Sequence, residues 1–286
     1  MPHRTHPSLA RIGHAALGLA LLAGLPAQAI VGGTATSAFA HVGQGVQITN
    51  SWVLTARHLG LTVGGSYSNG WDTALVAARY DLGSGAFPAD DLTLLRLAAP
   101  ISAAPDLGLL ATLLPAGLLA TPLTVTITTD NNQSPRGFAV TTLTGVLDQL
   151  DPDGAGGSGP VDVHYLVSAH GANQLPHVEG GDSGGGLFLG AVADSTGALL
   201  MGINSALLLN GQSTPVGSAF VQLASQRSWI DQTMANDLAD SQVANWVFAP
   251  VPEPAAWALL LAGGAALAGQ ARRRPARSAR QLASLP

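Results

Sequence analysis

Through the middle of the chain, short apolar or β-branched runs alternate with clusters of Gly, Asn, Asp and Pro. The runs occupy residues 42–49, 52–56, 73–78, 92–97, 123–129, 138–147, 161–167, 186–189 and 199–203. Runs of this length between turn-forming residues read as strands, and many at this spacing predict an all-β sandwich or barrel. Periodicity alone leaves the choice between those two open. One late segment changes period: over residues 219–237, Phe220, Leu223, Trp229, Ile230 and Met234 can share a helical face. Residues 151–160 are too rich in glycine for either element and predict a surface loop.

Both ends break this pattern. Arg4 and Arg11 precede an apolar stretch at 15–25, and Ala27-Gln28-Ala29 is a small-x-small cleavage site, so residues 1–29 read as a secretory signal peptide and helix for signal peptidase. The short run, closed by Pro26, argues against a first buried helix. At the other end, Val251-Pro252-Glu253-Pro254 leads into an apolar span at about 254–271, followed by Arg272, Arg273, Arg274, Arg277 and Arg280. A bilayer core needs about 20 residues with a lower limit near 17, so the span predicts a transmembrane helix with its arginines on the cytoplasmic side. This three-part tail, 251–286, resembles the PEP-CTERM sorting signal of Gram-negative bacteria that make exopolysaccharide. The resemblance implies recognition and cleavage by a membrane-bound, exosortase-like sorting enzyme. Export, transient anchoring in the inner membrane and release to the cell surface or matrix would follow; a plain C-terminal anchor is the alternative.

The two ends inflate the apolar fraction of 47%. Between them, Arg57, Arg79, Arg96, Arg136 and Arg227 are the only basic side chains besides histidine, against sixteen carboxylates. Such a surface repels nucleic acid and anionic membrane, which argues against either as a partner of this body. The absence of cysteine excludes thiol nucleophiles and thiolate metal sites, and the 221 residues of 30–250 are enough to bury a core without disulfides. His164, His170 and His177 lack a His-x-x-x-His spacing or a carboxylate at ligand spacing, so no metal site and no cofactor is expected.

The chemistry lies in an order: His58 in Thr55-Ala56-Arg57-His58, then Asp91 in Asp90-Asp91-Leu92-Thr93-Leu94-Leu95, then Ser183 in Gly181-Asp182-Ser183-Gly184-Gly185. Nucleophilic acyl transfer needs a hydroxyl to attack, an imidazole to take its proton and a carboxylate to orient the imidazole. The α/β-hydrolase elbow also reads Gly-x-Ser-x-Gly but places its histidine last, and no histidine follows Ser183. The subtilisin order needs an acid before the histidine, and the first acid here is Asp72.

With Ile30-Val31-Gly32-Gly33 after the cleavage site and Trp52-Val53-Leu54 before Thr55, these motifs resemble the chymotrypsin-like (trypsin-like, S1) serine protease family over roughly 30–240. The resemblance implies two six-stranded antiparallel β-barrels with a linker near 111–120 and a closing C-terminal helix, in a protease domain at 30–250. It implies His58, Asp91 and Ser183 as triad, Asp91 being preferred to Asp90 because it directly precedes Leu-x-Leu-Leu. An oxyanion hole from the N–H groups of Gly181 and Ser183 follows, as does an ion pair between Asp182 and a free Ile30 amine. Counting back from Ser183 puts His177 at the base of the primary pocket, with Glu179 and Gly180 at the rim and Ser205, Ala206 and Leu207 as the opposite wall. An Asp at that base would favour Lys or Arg; a histidine disfavours them. It could receive a polar or acidic side chain, or simply be satisfied by its neighbours. The implied activity is serine endopeptidase, acting on peptide or protein substrates. A non-catalytic surface or matrix binding protein on the same scaffold and an esterase using the same triad are the alternatives.

Overall fold

The computed structural model describes residues 30–249 apart from 37, 70, 84, 86, 102–106, 130–135, 151–159, 170–175 and 211. The expected signal peptide, the tail with its transmembrane span and most of the glycine-rich loop lie outside the described residues. Among the described residues, no helix is long and apolar enough to cross a membrane.

The protein is mostly β, in two sheets. After β1 (Thr34–Ala35), five strands form an antiparallel sheet: β2 (Val46–Gln47), β3 (Trp52–Thr55), β4 (Ser66–Ser68), β5 (Thr73–Asp81) and β6 (Thr93–Leu97), in the order β2-β3-β6-β5-β4. Its open side is bridged by side chains. The Tyr67 hydroxyl donates to the Gly45 carbonyl at 3.3 Å, and Asn69 Nδ2 donates to Gln47 Oε1 at 3.1 Å. The second sheet contains β7 (Gly108–Leu110), β8 (Gly117–Thr129), β9 (Gly137–Leu150), β10 (Val161–Ala169), β11 (Gly186–Leu189), β12 (Leu199–Leu209), β13 (Pro215–Gln222) and β14 (Asn245–Val247), and β1 joins it beside β9. Pairings run β11-β8-β9-β10-β13-β12, and β12 returns to β11, closing a six-stranded antiparallel ring. Outside the ring, β7 pairs in parallel with β12, and β14 in parallel with β7.

All four residues of β3 are buried because both its faces are covered. Trp52 and Leu54, with Leu94 of β6, pack against Phe188, Leu200 and Ile203 of the second sheet and against Ile230 and Met234. Val53 turns to the other face, to Tyr67, Val76, Leu95, Leu97 and Ile101. Each such apolar side chain contributes about 1.5–3 kcal/mol on burial, so the contact between the sheets is a core rather than a hinge.

The six-stranded ring matches the expectation for one barrel, whereas the other is a five-stranded sheet. β6 of the first sheet ends at Leu97 and β7 of the second begins at Gly108; of the expected linker at 111–120, residues 117–120 open β8. There Pro122, which has no N–H to donate, falls where the β8–β9 register shifts between Leu118 and Leu123. The expected helix is shorter than 219–237. Residues 219–222 stay extended, paired on both sides with β10 and β12, a 3-10 turn follows at Leu223–Gln226, and α1 spans Arg227–Asn236. It buries Ile230 and Met234, one turn apart.

Candidate active site

Each sheet contributes part of the site. His58 sits in a 3-10 turn, Arg57–Leu59, directly after β3, and Asp91 stands just before β6, which pairs with β3. Ser183 lies in the turn that leads into β11 of the second sheet. The packing of β3 against the second sheet brings the two contributions together.

The imidazole of His58 joins both. Nδ1 lies 2.9 Å from Asp91 Oδ2 and 3.0 Å from Oδ1, and Nε2 lies 2.9 Å from Ser183 Oγ. Since Asp91 is an acceptor, Nδ1 carries the proton and Nε2 is left to accept from the serine. The His58 N–H donates to Asp91 Oδ1 at 3.0 Å, fixing the carboxylate from the backbone as well. The Asp91 side chain is 1% exposed, that of His58 32%: the acid is shielded and the base is open to a substrate. Phe87 meets the imidazole edge-on at 5.2 Å between centroids. Asp90 points elsewhere, with its Oδ2 accepting from the Gly85 N–H, so Asp91 is the carboxylate on the imidazole.

Two further hydroxyls stand behind Asp91. Ser205 Oγ donates to Asp91 Oδ2 at 2.5 Å, and the Tyr165 hydroxyl lies 2.9 Å from Ser205 Oγ and 2.8 Å from the Pro88 carbonyl. Burial, with the Asp91 charge nearby, pushes the Tyr165 hydroxyl far above its ordinary range, so it remains a donor. Ser205 owes its aim to a bulge: the β12–β13 register shifts between Asn204 and Ala206, leaving Ser205 as the extra residue. Bulges of this kind re-aim a side chain. Sequence reasoning placed Ser205 on the pocket wall and missed Tyr165, whose position inside an apolar strand carries no local signal.

The turn before Ser183 is shaped by backbone. Gly181 adopts φ +104°, a conformation that other residues rarely hold. The Asp182 N–H is engaged by the Glu179 carbonyl at 3.1 Å. Among the described residues, the flanking N–H groups of Gly181 and Ser183 meet no acceptor. Two free donors beside a hydroxyl that faces an imidazole can receive developing negative charge.

Asp182 is fully buried. Burial raises its carboxyl to about 6, against the pull of the Glu179 N–H, donating at 2.8 Å, and of the Thr129 hydroxyl and Ile30 N–H that face it. Its Oδ1 receives no hydrogen bond of good geometry. Ile30 is 1% exposed, its neighbour Val31 forms a β-bridge with His177, and its φ is +25°. The expected ends of the ion pair are therefore adjacent.

The expected pocket residues also come together. Val178 donates to Ser218 Oγ at 3.1 Å, and Ser218 pairs with Leu207 across β13–β12, so the 177–180 segment and the Ser205-Ala206-Leu207 wall flank the same strand. His177 is nearly buried, with Nε2 3.8 Å from Glu179 Oε1; Ala206 is buried, Leu207 half-buried and Gly180 exposed. Among the described residues, no three His, Asp or Glu side chains are grouped to hold a metal ion.

Arg57 fastens the loop between β5 and Asp91, donating to the carbonyls of Gly83 at 2.8 Å, Ala89 at 3.3 Å and Gly85. Arg79 donates to the Leu61 carbonyl at 2.5 Å and the Arg57 carbonyl at 3.2 Å. In this cysteine-free chain two guanidinium groups thus brace the turn that carries His58.

The family model described as Trypsin matches residues 24–230. No curated protein matches the sequence. Similar solved structures include a protease of M. tuberculosis in its active form, 18% identical, with TM-score 0.43 over 71% of this chain and 74% of that one. An inactive form of the same protein with serine replaced by alanine gives 19% and 0.44 over 66% and 81%. Kallikrein-related peptidase 10 in complex with Zn2+ gives 20% and 0.41 over 66% and 87%. With most of its length matched by that family, the chain belongs to the trypsin family and is a serine peptidase.

Proposed function

We propose that this serine peptidase is an exported endopeptidase that works through Ser183, His58 and Asp91 by way of an acyl-enzyme. The observation that carries the reading is the unbroken row from Ser183 Oγ through the imidazole to a shielded carboxylate. As Ser183 Oγ attacks the peptide carbonyl carbon, its proton passes to His58 Nε2 and the carbonyl π pair moves onto oxygen. The N–H groups of Gly181 and Ser183 receive that oxyanion, and Asp91 holds the imidazolium. When the carbonyl reforms, the C–N bond breaks and the amine leaves with the proton from Nε2. Water then repeats the sequence against the ester and releases Ser183.

The site is completed, in this reading, by cleavage after Ala29. A β-branched residue at φ +25° is an outlier, and φ exists only while residue 29 is attached. Cutting there removes the strain and converts the Ile30 N–H into an ammonium beside the unsatisfied Asp182 Oδ1. The pocket, with His177 at its base and Leu207 on its wall, disfavours Lys and Arg. The tail beyond residue 250 serves sorting to the surface, with an exosortase-like enzyme as partner. A fluorophosphonate probe tests the core of the proposal: the purified chain should be labelled and should cleave a peptide library, while Ser183→Ala does neither. A wild-type chain that is folded, begins at Ile30 and still does neither would leave the binding-scaffold alternative standing.

A further inference from the structure

Asn204 is the one amide side chain in the apolar strand β12, and it is fully buried. Its Nδ2 donates to the Asp182 carbonyl at 3.0 Å and to the Thr128 carbonyl of β8 at 2.9 Å. The amide cannot be turned round, because Oδ1 would then face two carbonyl oxygens. Its backbone holds the same turn: the Gly184 N–H donates to the Asn204 carbonyl at 2.9 Å, and the Asn204 N–H donates to the Gly185 carbonyl at 2.8 Å. The approach is close enough that a Cβ on Gly185 would lie 2.6 Å from Nδ2.

One atom of the amide is left out of this arrangement. Asn204 Oδ1 is buried without a hydrogen-bond partner, and an orphaned buried acceptor is unfavourable where an aliphatic side chain of similar size would carry no such penalty. The gain lies in the peptide unit between Asp182 and Ser183. That unit is planar and trans, so its C=O and N–H point in opposite directions. Holding the carbonyl against Asn204 turns the Ser183 N–H away from the core, to the side on which it meets no acceptor among the described residues.

We propose that Asn204 is a positioning residue for the oxyanion hole: by clamping the Asp182 carbonyl to β8 and β12, it aims the Ser183 N–H at the substrate oxygen. This rests on the peptidase reading above. The clamp matters most in the transition state, when charge collects on that oxygen, so its loss should lower kcat and leave KM nearly unchanged.

The test uses the full processed chain carrying Asn204→Val, which removes both donors, and Asn204→Thr, which keeps one hydroxyl donor. Loss of a whole oxyanion-hole donor costs about 100- to 1,000-fold; loss of its alignment should cost kcat about 10- to 100-fold, with Asn204→Thr between Asn204→Val and wild type. A peptide aldehyde, whose adduct places an oxygen in the hole, should bind Asn204→Val more weakly in proportion to kcat/KM. A reduced-amide peptide, which has no carbonyl oxygen, should bind unchanged. Asn204→Val removes the orphaned Oδ1 but leaves the buried Thr128 carbonyl without its Nδ2 donor and the Asp182 carbonyl with only the Gly185 N–H at 3.2 Å, so its Tm should fall while the chain stays folded at the assay temperature. Unchanged kcat, equal weakening of both inhibitors, or a loss of kcat no larger than the unfolded fraction of the variant would each overturn the proposal and leave Asn204 a packing residue. A failure of the peptidase reading looks different: wild type itself would neither cleave peptide nor react at Ser183, and the inference would fall with it.

Discussion

One added residue before Ile30 should reverse the sign of a pH dependence. In a chain that starts at Ala29, the nitrogen of residue 30 remains an amide, and buried Asp182 titrates at about 6 rather than at its ordinary 3.8. Between those values the folded chain holds a proton that the unfolded chain has released, so stability falls as pH rises through the window. A carboxyl raised from 3.8 to about 6 corresponds to about 3 kcal/mol lost between pH 4 and 7. In the chain that starts at Ile30, the ammonium faces the carboxylate and favours its charged form, carrying its folded pKa below the unfolded one. The pair then contributes stability that is full above the ordinary aspartate range and lost as pH falls through the depressed folded value, so the penalty between pH 4 and 7 disappears. Urea unfolding followed by tryptophan fluorescence at pH 4, 5, 6 and 7, on both chains, gives the two slopes directly. Peptidase activity should follow the chain that begins at Ile30. Parallel stability profiles for the two chains would refute the reasoning, because Asp182 would then be indifferent to the charge on residue 30.

Asp237 predicts a second pH effect. Burial pushes its carboxyl up, but hydrogen bonds from Tyr80, the Ala239 N–H and Arg96, with the Arg96 charge, carry it below the ordinary aspartate range. Its contribution should be complete above about pH 4, the unfolded value, and vanish as pH falls through the lower folded value; Asp237→Asn should therefore cost about 2–3 kcal/mol at pH 7 and much less at pH 2–3, by denaturant unfolding. Tyr165→Phe keeps the ring but leaves the Pro88 carbonyl and Ser205 without that hydroxyl. It should lower kcat about fivefold, the equivalent of about 1 kcal/mol, in steady-state assays with KM unchanged; an unaltered kcat would show that Asp91 is held well enough by Ser205 and the His58 N–H alone.

The residues most legible in the sequence were those whose neighbours constrain them locally. Gly181 and the glycines after Ser183 announce a tight turn, and the apolar run 52–55 before His58 announces a strand that delivers it. Strand centres were readable for the same reason, since Trp52, Val53 and Leu54 are buried on both faces and appear as a continuous apolar run. Boundaries failed where partners decide them. Phe220 and Leu223 fit a helical spacing with Ile230, yet 219–222 is drawn into sheet by β10 and β12 on either side. The run at 42–49 shrinks to Val46–Gln47 because its first part folds back on itself, the Gly43 N–H donating to the Gly45 carbonyl at 2.7 Å and Val42 bridging Val46. At the site, Ser205 reaches Asp91 across more than 110 residues of chain and Tyr165 reaches the Pro88 carbonyl across more than 70, and a bulge decides where Ser205 points. Asn204 did carry a signal, an amide among Leu, Met and Ile, but what it holds becomes visible only once β12 lies beside the turn that carries Ser183.

β14 bears on how the described chain is held at its end. This strand runs parallel to β7, and Trp246 donates to Asp231 Oδ1 at 2.7 Å while its ring and that of Phe248 flank the Arg227 guanidinium. Because β7 pairs in turn with β12, whose bulge aims Ser205, the end of the described chain is tied to a strand that carries part of the site.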